Sequence, residues 1–534
     1  MKRYELLPAA AALVALVMSA SACDQGLSGL NENPNAPTDV GAEYLLPQAL
    51  QSTVEYANYN TWFTLEFTGL FAQHWAKIQY TDEDRYELRP NIIDGFWNNF
   101  YSIPLKDWEL IIEKGQATGL ANHEAIARIG KVYTFHLMTD IWGDIPFSEA
   151  LKADDPGSPI TAPAYDSQQS IYTAMLAELA TAVGMLDASA RSFGSEDLIY
   201  GGRVAQWRRF ANSLRLRLAM RISDVSPAVA QPIVEALATQ QLITSNADNF
   251  TLAYLGASPN QNPLHENAAT ALGGSGSRDD HAVSNSLVNM LGALNDPRLA
   301  VYAEPAELAS LTADFAWCGG AGEPPCHVVY NGQVFRGMRN GVISENVPTP
   351  FTLWSRLGSH FRARPETPQP LLTAAEVNFL LAEAAENGWS VGGTAQAYYE
   401  AGVRAAFNLW DGADGVDLGT AVQSAYLLQP GVAYGTTPVD GAGNNFELIA
   451  EQKWFALYTI SGEAFTEYRR TGYPDELLPS FDAAIITTIP GRIPYATIEQ
   501  SLNAANLSAA ITAQAGMGVD GTYAGRVWWD PTAP

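Results

Sequence analysis

Cysteine is scarce in this chain, with three in 534 residues, and histidine is little commoner, with seven. Charge is also thin. Charged residues make up 16% of the sequence, against roughly a quarter in ordinary globular proteins. What charge there is leans one way: 30 Lys and Arg face 57 Asp and Glu, for a formal net charge of -27. Such a surface repels phosphate backbones, which excludes nucleic-acid binding as a function. No stretch beyond the N-terminal segment reaches the roughly 18 uninterrupted apolar residues of a membrane-spanning helix.

Catalytic and metal-binding signatures are missing as well. "HEAIA" at His123 and "HENAA" at His265 open like zincin motifs, but Ala stands where the second imidazole must be, so both histidines are expected to face solvent or cap helices. "GGSGSRDD" lacks the Lys and hydroxyl pair of a phosphate loop, and no G-x-S-x-G elbow occurs. No EF-hand spacing supports Ca²⁺. A glycosidase needs two carboxylates at a set distance, and so acidic a chain contains many fortuitous pairs, so their presence argues nothing. The expectation is a protein with no cofactor and no metal, and not an enzyme.

Material for a core is plentiful: 47% of residues are hydrophobic and 10% aromatic. The N-terminus is organised differently from the rest. Lys2 and Arg3 precede an apolar run from Leu6 to Met18, and Ser19 to Ala22 are all small, the layout of an export signal over residues 1–22. The next residue is Cys23, as in a lipoprotein signal, although Ala20 stands where a branched apolar residue is usual. The alternative is ordinary secretion with Cys23 incidental. An acylated Cys23 would anchor the chain to a membrane, at about 0.8 kcal/mol per buried methylene, and Gly, Asn and Pro over 23–40 would form a flexible tether.

With Cys23 set aside, Cys318 and Cys326 remain, in "WCGGAGEPPC". They are expected to pair, closing a short loop worth about 2–3 kcal/mol. Half of a thiolate metal site would need further ligands, and His327 is the only close candidate.

The rest of the chain reads as mainly α-helical. "ANHEAIARIGKVYTFHLMTD" at 121–140 places Ile126, Ile129, Tyr133 and Leu137 three and four apart. The pattern recurs at 168–187 and 203–223. Thr373 and Glu376 form a capping box ahead of Val377, Leu380, Leu381 and Ala384, and "TAQAYYEAGVRAAFNLW" follows after a short turn. That helix hairpin has the size of a tetratricopeptide-like repeat, without strict self-similarity. Helical scaffold is expected mainly over 41–225, 370–410 and 446–475, within a single domain spanning 41–534. Loop-rich excursions rich in Gly, Ser, Asn and Pro occupy 248–365 and 411–445, and long loops on a scaffold are where binding surfaces sit.

Arg203, Arg208, Arg209, Arg215, Arg217 and Arg221 crowd one predicted helix. In so acidic a chain they are expected to pair with neighbouring carboxylates and lock helices together. Trp207, Phe210, Leu214 and Leu218 form that helix's buried stripe.

Several segments in order, "LNENPNAPTD", "YTFHLMTDIWGDIPFSEAL", "YGGRVAQWRRFANSLRLRLAMRIS", "LNDPRL", "TAAEVNFLLAEAAENGW", "EQKWFALYTISGEAFTEYRRTGYP", "GRIPY" and "VWWD", together with Cys23, carry a resemblance. The chain resembles the SusD/RagB-like outer-membrane nutrient-binding lipoproteins of Bacteroidota-type bacteria, over nearly its whole length. It departs at Gly491, where a second Arg is usual, and at Ala496, where Pro is usual. The resemblance implies degenerate tetratricopeptide-like helix pairs forming a scaffold, with a loop-rich subdomain carrying the ligand site. It also implies a cell-surface lid over a SusC-like TonB-dependent transporter, capturing oligosaccharide or, in some members, peptide. A lipid-anchored glycan hydrolase is the competing class.

Sugar rings stack on aromatic faces and their hydroxyls need Asn, Asp and Arg. "QYTDEDRYELRPNIIDGFWNNFY" supplies Tyr80, Asp84, Arg85, Tyr86, Asn98 and Asn99 as candidates, with Trp317, Tyr330 and Trp354 from the excursion. Trp97 and Tyr101, four apart, read as helix core. Trp142, Gly143 and Pro146, and Arg469, Arg470 and Gly472, read as turns and helix ends that set the fold.

Overall fold

Helices form where apolar residues recur at three and four positions. The computed structural model describes residues 40–56, 64–268, 280–307, 315, 317–319, 323–438, 443–517 and 523–530. Cys23, the export signal and the tether lie outside them. In chain order the principal helices are α1 (Ala42–Val54), α2 (Pro90–Phe100), α3 (Lys106–Thr118), α4 (Ala121–Trp142), α5 (Gln168–Met185), α6 (Val204–Arg221), α7 (Pro227–Leu237), α8 (Asn285–Ala293), α9 (Ala374–Glu386), α10 (Ala395–Trp410), α11 (Asn445–Ala456), α12 (Ser461–Thr471) and α13 (Ala504–Ala513).

Successive helices pair: α3 with α4, α5 with α6, α9 with α10, and α11 with α12. The pairs abut in that order, through α4 against α5, α6 against α9 and α9 against α11. α4 lies innermost. Ile126, Ile129, Tyr133 and Leu137 are buried as expected, but so is nearly every other side of that helix, because the neighbouring pairs enclose it. Caps end the helices where the sequence supplies them. Ser167 and Thr394 accept amide hydrogens from Ser170 and Ala397, and α12 stops at Gly472, whose φ of +76° is open to glycine at little cost. Thr373 accepts the Glu376 amide at 3.3 Å, yet the Glu376 carboxylate does not reach back to complete the capping box. It goes to an arginine instead.

That arginine is Arg217, which holds Glu376 through Nε and Nη2, both at 2.6 Å, with both residues fully buried. Arg221 pairs with Glu463 at 2.6 Å and with Glu467, and Arg470 holds Glu383 through two 2.7 Å bonds. Arg217, Arg221 and Arg470 thus tie α6, α9 and α12 together with carboxylates. Arg208 and Arg215 differ from expectation, since they donate to the carbonyls of Val183, Leu186 and Leu176 at the end and middle of α5. For Arg208 the reason is that unpaired carbonyls at a helix end attract cations as carboxylates do.

The expected loop-rich excursion at 248–365 has more order than its composition suggests. It contains α8 and half of the strands: β4 (Phe250–Leu252), β5 (His281–Val283), β6 (His327–Tyr330) and β7 (Gln333–Arg336). Together with β1 (Trp75–Lys77), β2 (Ile145–Pro146), β3 (Tyr165–Asp166) and β8 (Gln369–Leu372), these form antiparallel pairs β1–β5, β2–β3, β4–β8 and β6–β7. A second small core fills this part, built on Ala76, Ile78, Trp317, Met338, Leu353 and Trp354 and separate from the main helical core. Cys318 and Cys326 are joined there, their Cα atoms 5.2 Å apart. Among the described residues, no helix is long and apolar enough to cross a membrane.

Two histidines depart from the sequence reading. His123 is buried, its ring stacked on Phe193 at 3.8 Å between centroids, and His265 is buried with Nδ1 2.7 Å from the Arg362 carbonyl. Contacts from segments distant in sequence, invisible in a local motif, place them inside.

Candidate ligand-binding site

Strand β1 carries the chain into the stretch that holds most of the sequence-predicted residues. β1 pairs with β5 so that Lys77 lies opposite His281. Beyond it the chain turns sharply, with positive φ at Tyr80 (54°) and Tyr86 (67°). Asp84 organises the turn. Its carboxylate is buried and accepts the Lys77 amide at 3.0 Å, the Gly341 amide at 3.0 Å and the Asn340 Nδ2 at 2.7 Å. Burial pushes the Asp84 carboxyl up to about 6, against the lowering pull of these three donors and of Lys77.

Three distant segments are thereby braced together. The Thr81 amide donates to Ser344 Oγ at 3.2 Å, Arg85 Nε to the Asp482 carbonyl at 2.8 Å, the Ser480 amide to the Tyr86 hydroxyl at 2.8 Å, and the Ile343 amide to Asp482 Oδ2 at 2.9 Å. Gly341 sits at the junction with φ of +75°, and a Cβ there would fall 1.6 Å from Ser480 Oγ, so only glycine fits. On this braced base the Tyr80 side is open: 60% of the residue is exposed. Phe481 on the third segment and Ile485 just after it are also exposed.

Beneath lies a buried charge cluster. Lys77 Nζ is 2.5 Å from Glu66, 3.5 Å from Glu83 and 3.8 Å from Asp280, and Arg89 meets Glu83 at 2.6 Å. Burial acts to lower the Lys77 pKa, but the three carboxylates outweigh it and the ammonium is held above its ordinary range. His281 Nδ1 is 3.0 Å from Asp280, and burial, which lowers its pKa, is again outweighed by that carboxylate. Among the described residues, no group of three or more His, Cys, Asp or Glu is arranged to hold a metal ion.

The structure separates the predicted residues by their surroundings. Tyr80 presents a surface, and Arg85, half-buried, braces it. Asp84 and Tyr86 are interior struts, their polar atoms committed to backbone amides and, for Asp84, the Asn340 side chain. Trp317 and Trp354 are not platforms: both are buried, their rings 5.5 Å apart in the second core, and Trp354 Nε1 donates to the Pro348 carbonyl at 3.3 Å. The flat surfaces that would suit a sugar are spent on each other. Tyr330 is half-buried on β6 with its ring 6.4 Å from Phe335. Asn98 and Asn99 lie on α2, where Asn98 is exposed on the rim of a cleft with Trp97 and Tyr101.

The family model described as SusD-like, starch-binding and associating with the outer membrane, matches residues 34–496. The chain belongs to the SusD-like family. Solved structures agree with this assignment. A chitin-binding protein is 29% identical with a TM-score of 0.74, covering 91% of this chain and 100% of its own. A chitin-binding SusD homologue from Flavobacterium johnsoniae is 28% identical with a TM-score of 0.73, covering 92% of this chain and 99% of its own. A SusD homologue from Bacteroides uniformis is 26% identical with a TM-score of 0.74, covering 92% and 100%. No curated protein matches the chain.

In this SusD-like protein, sequence reasoning missed the second and third bracing segments, 340–347 and 478–484. Gly341 and Ser480 act through backbone amides, and Asn340 and Asp482 through single polar side chains in loops, so none leaves a periodic signal. The one available clue was the cluster of Gly, Asn and Pro, which marks turns without saying what they touch.

Proposed function

We propose that this SusD-like protein is a cell-surface lipoprotein that captures oligosaccharide and hands it to a SusC-like TonB-dependent transporter. The observation that carries the proposal is the exposed Tyr80 on loops held rigid by Asp84, Asn340 and Asp482. A rigid aromatic face stacks on sugar C–H groups with little ordering cost, and the neighbouring Asp82 carboxylate, largely exposed, supplies a hydroxyl acceptor. Chitin-derived oligosaccharides are the leading ligand class, on the strength of the relatives 28–29% identical over nine-tenths of the chain. The acyl anchor at Cys23 would keep the capture surface near its pore, where a short tether raises the effective concentration of ligand at the transporter to about millimolar.

Isothermal titration of the intact mature chain against chitooligosaccharides, maltooligosaccharides and short peptides tests the ligand class. Saturable binding to one glycan series, reduced about tenfold by Tyr80→Ala, is the expected result. Binding to peptides alone would replace the carbohydrate reading. Release of the Cys23→Ala protein from the membrane fraction is the expected result for the anchor, and retention would remove it.

A further inference from the structure

A cleft of about 470 Å³ opens between the end of α2, the loop 146–163 and the short helix Thr497–Leu502. It is distinct from the Tyr80 surface, since none of the residues bracing Asp84 lines it. Its volume lies within the roughly 300–1,000 Å³ of small-ligand sites.

Half-buried Tyr101 is the partly open ring of its lining, and buried Trp97 backs it. Trp97 and Tyr101 are 5.3 Å apart between centroids, Tyr165 stacks behind Trp97 at 6.2 Å, and the Tyr101 hydroxyl is fixed by donating to the Pro146 carbonyl at 2.7 Å. Two half-buried carboxylates complete the lining. Glu149 Oε2 accepts the Ala164 amide at 2.7 Å; Glu499 Oε2 accepts the Tyr165 hydroxyl at 2.8 Å and Asn503 Nδ2 at 3.1 Å. Each is oriented through one oxygen, and no described residue donates to the other. No Lys or Arg lines the cleft to neutralise them.

Fixed carboxylates without a basic partner, set among aromatic rings, favour a cation carried on a ring-shaped, partly apolar body. We propose that the cleft binds an amino sugar, its ammonium groups accepted by Glu149 and Glu499 and its ring lying against the half-exposed edge of Tyr101. An ammonium brings three donors, and charge-assisted bonds to carboxylate are roughly twice as strong as neutral ones. An N-acetylated sugar offers one N–H and turns a carbonyl oxygen toward the carboxylates. The rim favours a sugar over a lysine side chain, because exposed Asn98, Ser102 and Thr161 supply hydroxyl partners that an alkyl stem does not use. The proposal rests on the oligosaccharide reading above and adds that the protein takes partly deacetylated chains.

Calorimetric titration of the mature chain with fully acetylated and fully deacetylated chitooligosaccharides of equal length separates the two claims, in buffer acidic enough to keep the amines protonated. Glu149→Gln and Glu499→Gln are each expected to weaken the deacetylated oligomer about tenfold and leave the acetylated one unchanged. Both substitutions keep side-chain shape, and an unchanged melting temperature verifies the fold. Binding of the acetylated oligomer with none of the deacetylated one, or deacetylated binding indifferent to both substitutions, overturns the amino-sugar site alone. Displacement by a lysine tripeptide at equal concentration reassigns the cleft to peptide and overturns it too. Absence of binding by either oligomer overturns the amino-sugar site and the chitin-type ligand class together, and the maltooligosaccharide titration then decides the wider oligosaccharide reading.

Discussion

The Gly341 amide donates to the Asp84 carboxylate over 3.0 Å, joining residues 257 apart in sequence at the base of the exposed Tyr80 loop. The contact is local in space and remote in the chain, so the rigidity of the candidate site depends on the whole fold having closed. Asp84→Ala strips the acceptor from three buried donors at once. We expect a loss of about 2–4 kcal/mol in urea denaturation, since each orphaned donor costs about 1–3 kcal/mol before relaxation. Asp84→Asn, which keeps the shape but turns an N–H toward the same donors, is expected to recover only part. Full recovery would show that the carboxylate is not the acceptor for all three.

Tyr80 is a leading and Trp354 a secondary candidate platform in the sequence, and the structure assigns them opposite sensitivities. Tyr80→Ala is expected to leave the melting temperature unchanged and weaken glycan binding. Trp354→Ala, in the second core, is expected to cost about 3–5 kcal/mol of stability. Calorimetry and thermal melts on both variants check the pair. A stable Trp354→Ala protein that has lost binding would return that ring to the site.

This contrast marks what was legible beforehand. Helices α4, α5, α6, α9 and α10 show in the sequence because burial along a helix repeats every three to four residues. The pairing of Arg217 and Arg221 with carboxylates shows because an acidic chain that clusters arginines on an apolar helix must neutralise them. Whether an aromatic residue faces solvent or a neighbour does not show, because Tyr80, Trp317 and Trp354 sit in segments without period. The second core assembles from 76–78, 317–318, 338–342 and 347–354, pieces too short to signal a common interior. Asn98 was found for its hydroxyl-bonding chemistry, but Glu149 and Glu499, its neighbours across the cleft, come from distant loops and could not be singled out among 57 acids.

Arg217 and Glu376 test whether the buried ion pairs stabilise or specify. Removing one partner, as in Arg217→Met, leaves a buried carboxylate exposed to no cation of its own and is expected to cost about 3–5 kcal/mol. The double variant Arg217→Met with Glu376→Leu is expected to regain most of that loss, because desolvating two charges offsets much of their attraction. A double variant as unstable as the single one would show the pair to be a net stabiliser in this setting.

His74 makes the pH dependence readable. Its ring is fully buried, with Nε2 3.1 Å from the Trp454 carbonyl. Burial holds its pKa down to about 3 from the ordinary 6.5, overcoming the carbonyls of Trp454 and Tyr458 that favour the charged ring. Between those values the unfolded chain binds a proton that the folded chain refuses, so His74 subtracts stability progressively as pH falls below 6.5. The linkage slope for one proton is about 1.4 kcal/mol per pH unit. His74→Gln keeps a donor for the Trp454 carbonyl and removes the titration. Wild type is expected to be the more stable protein near neutrality, and its advantage over the variant to shrink by about 1.4 kcal/mol for each unit of acidification between about pH 6 and 4. Paired urea titrations across that window measure the difference directly and cancel the other carboxylates and histidines, which both proteins share. A constant difference would mean that the folded protein admits the proton, and with it water or a carboxylate, to the contact between His74 and α11.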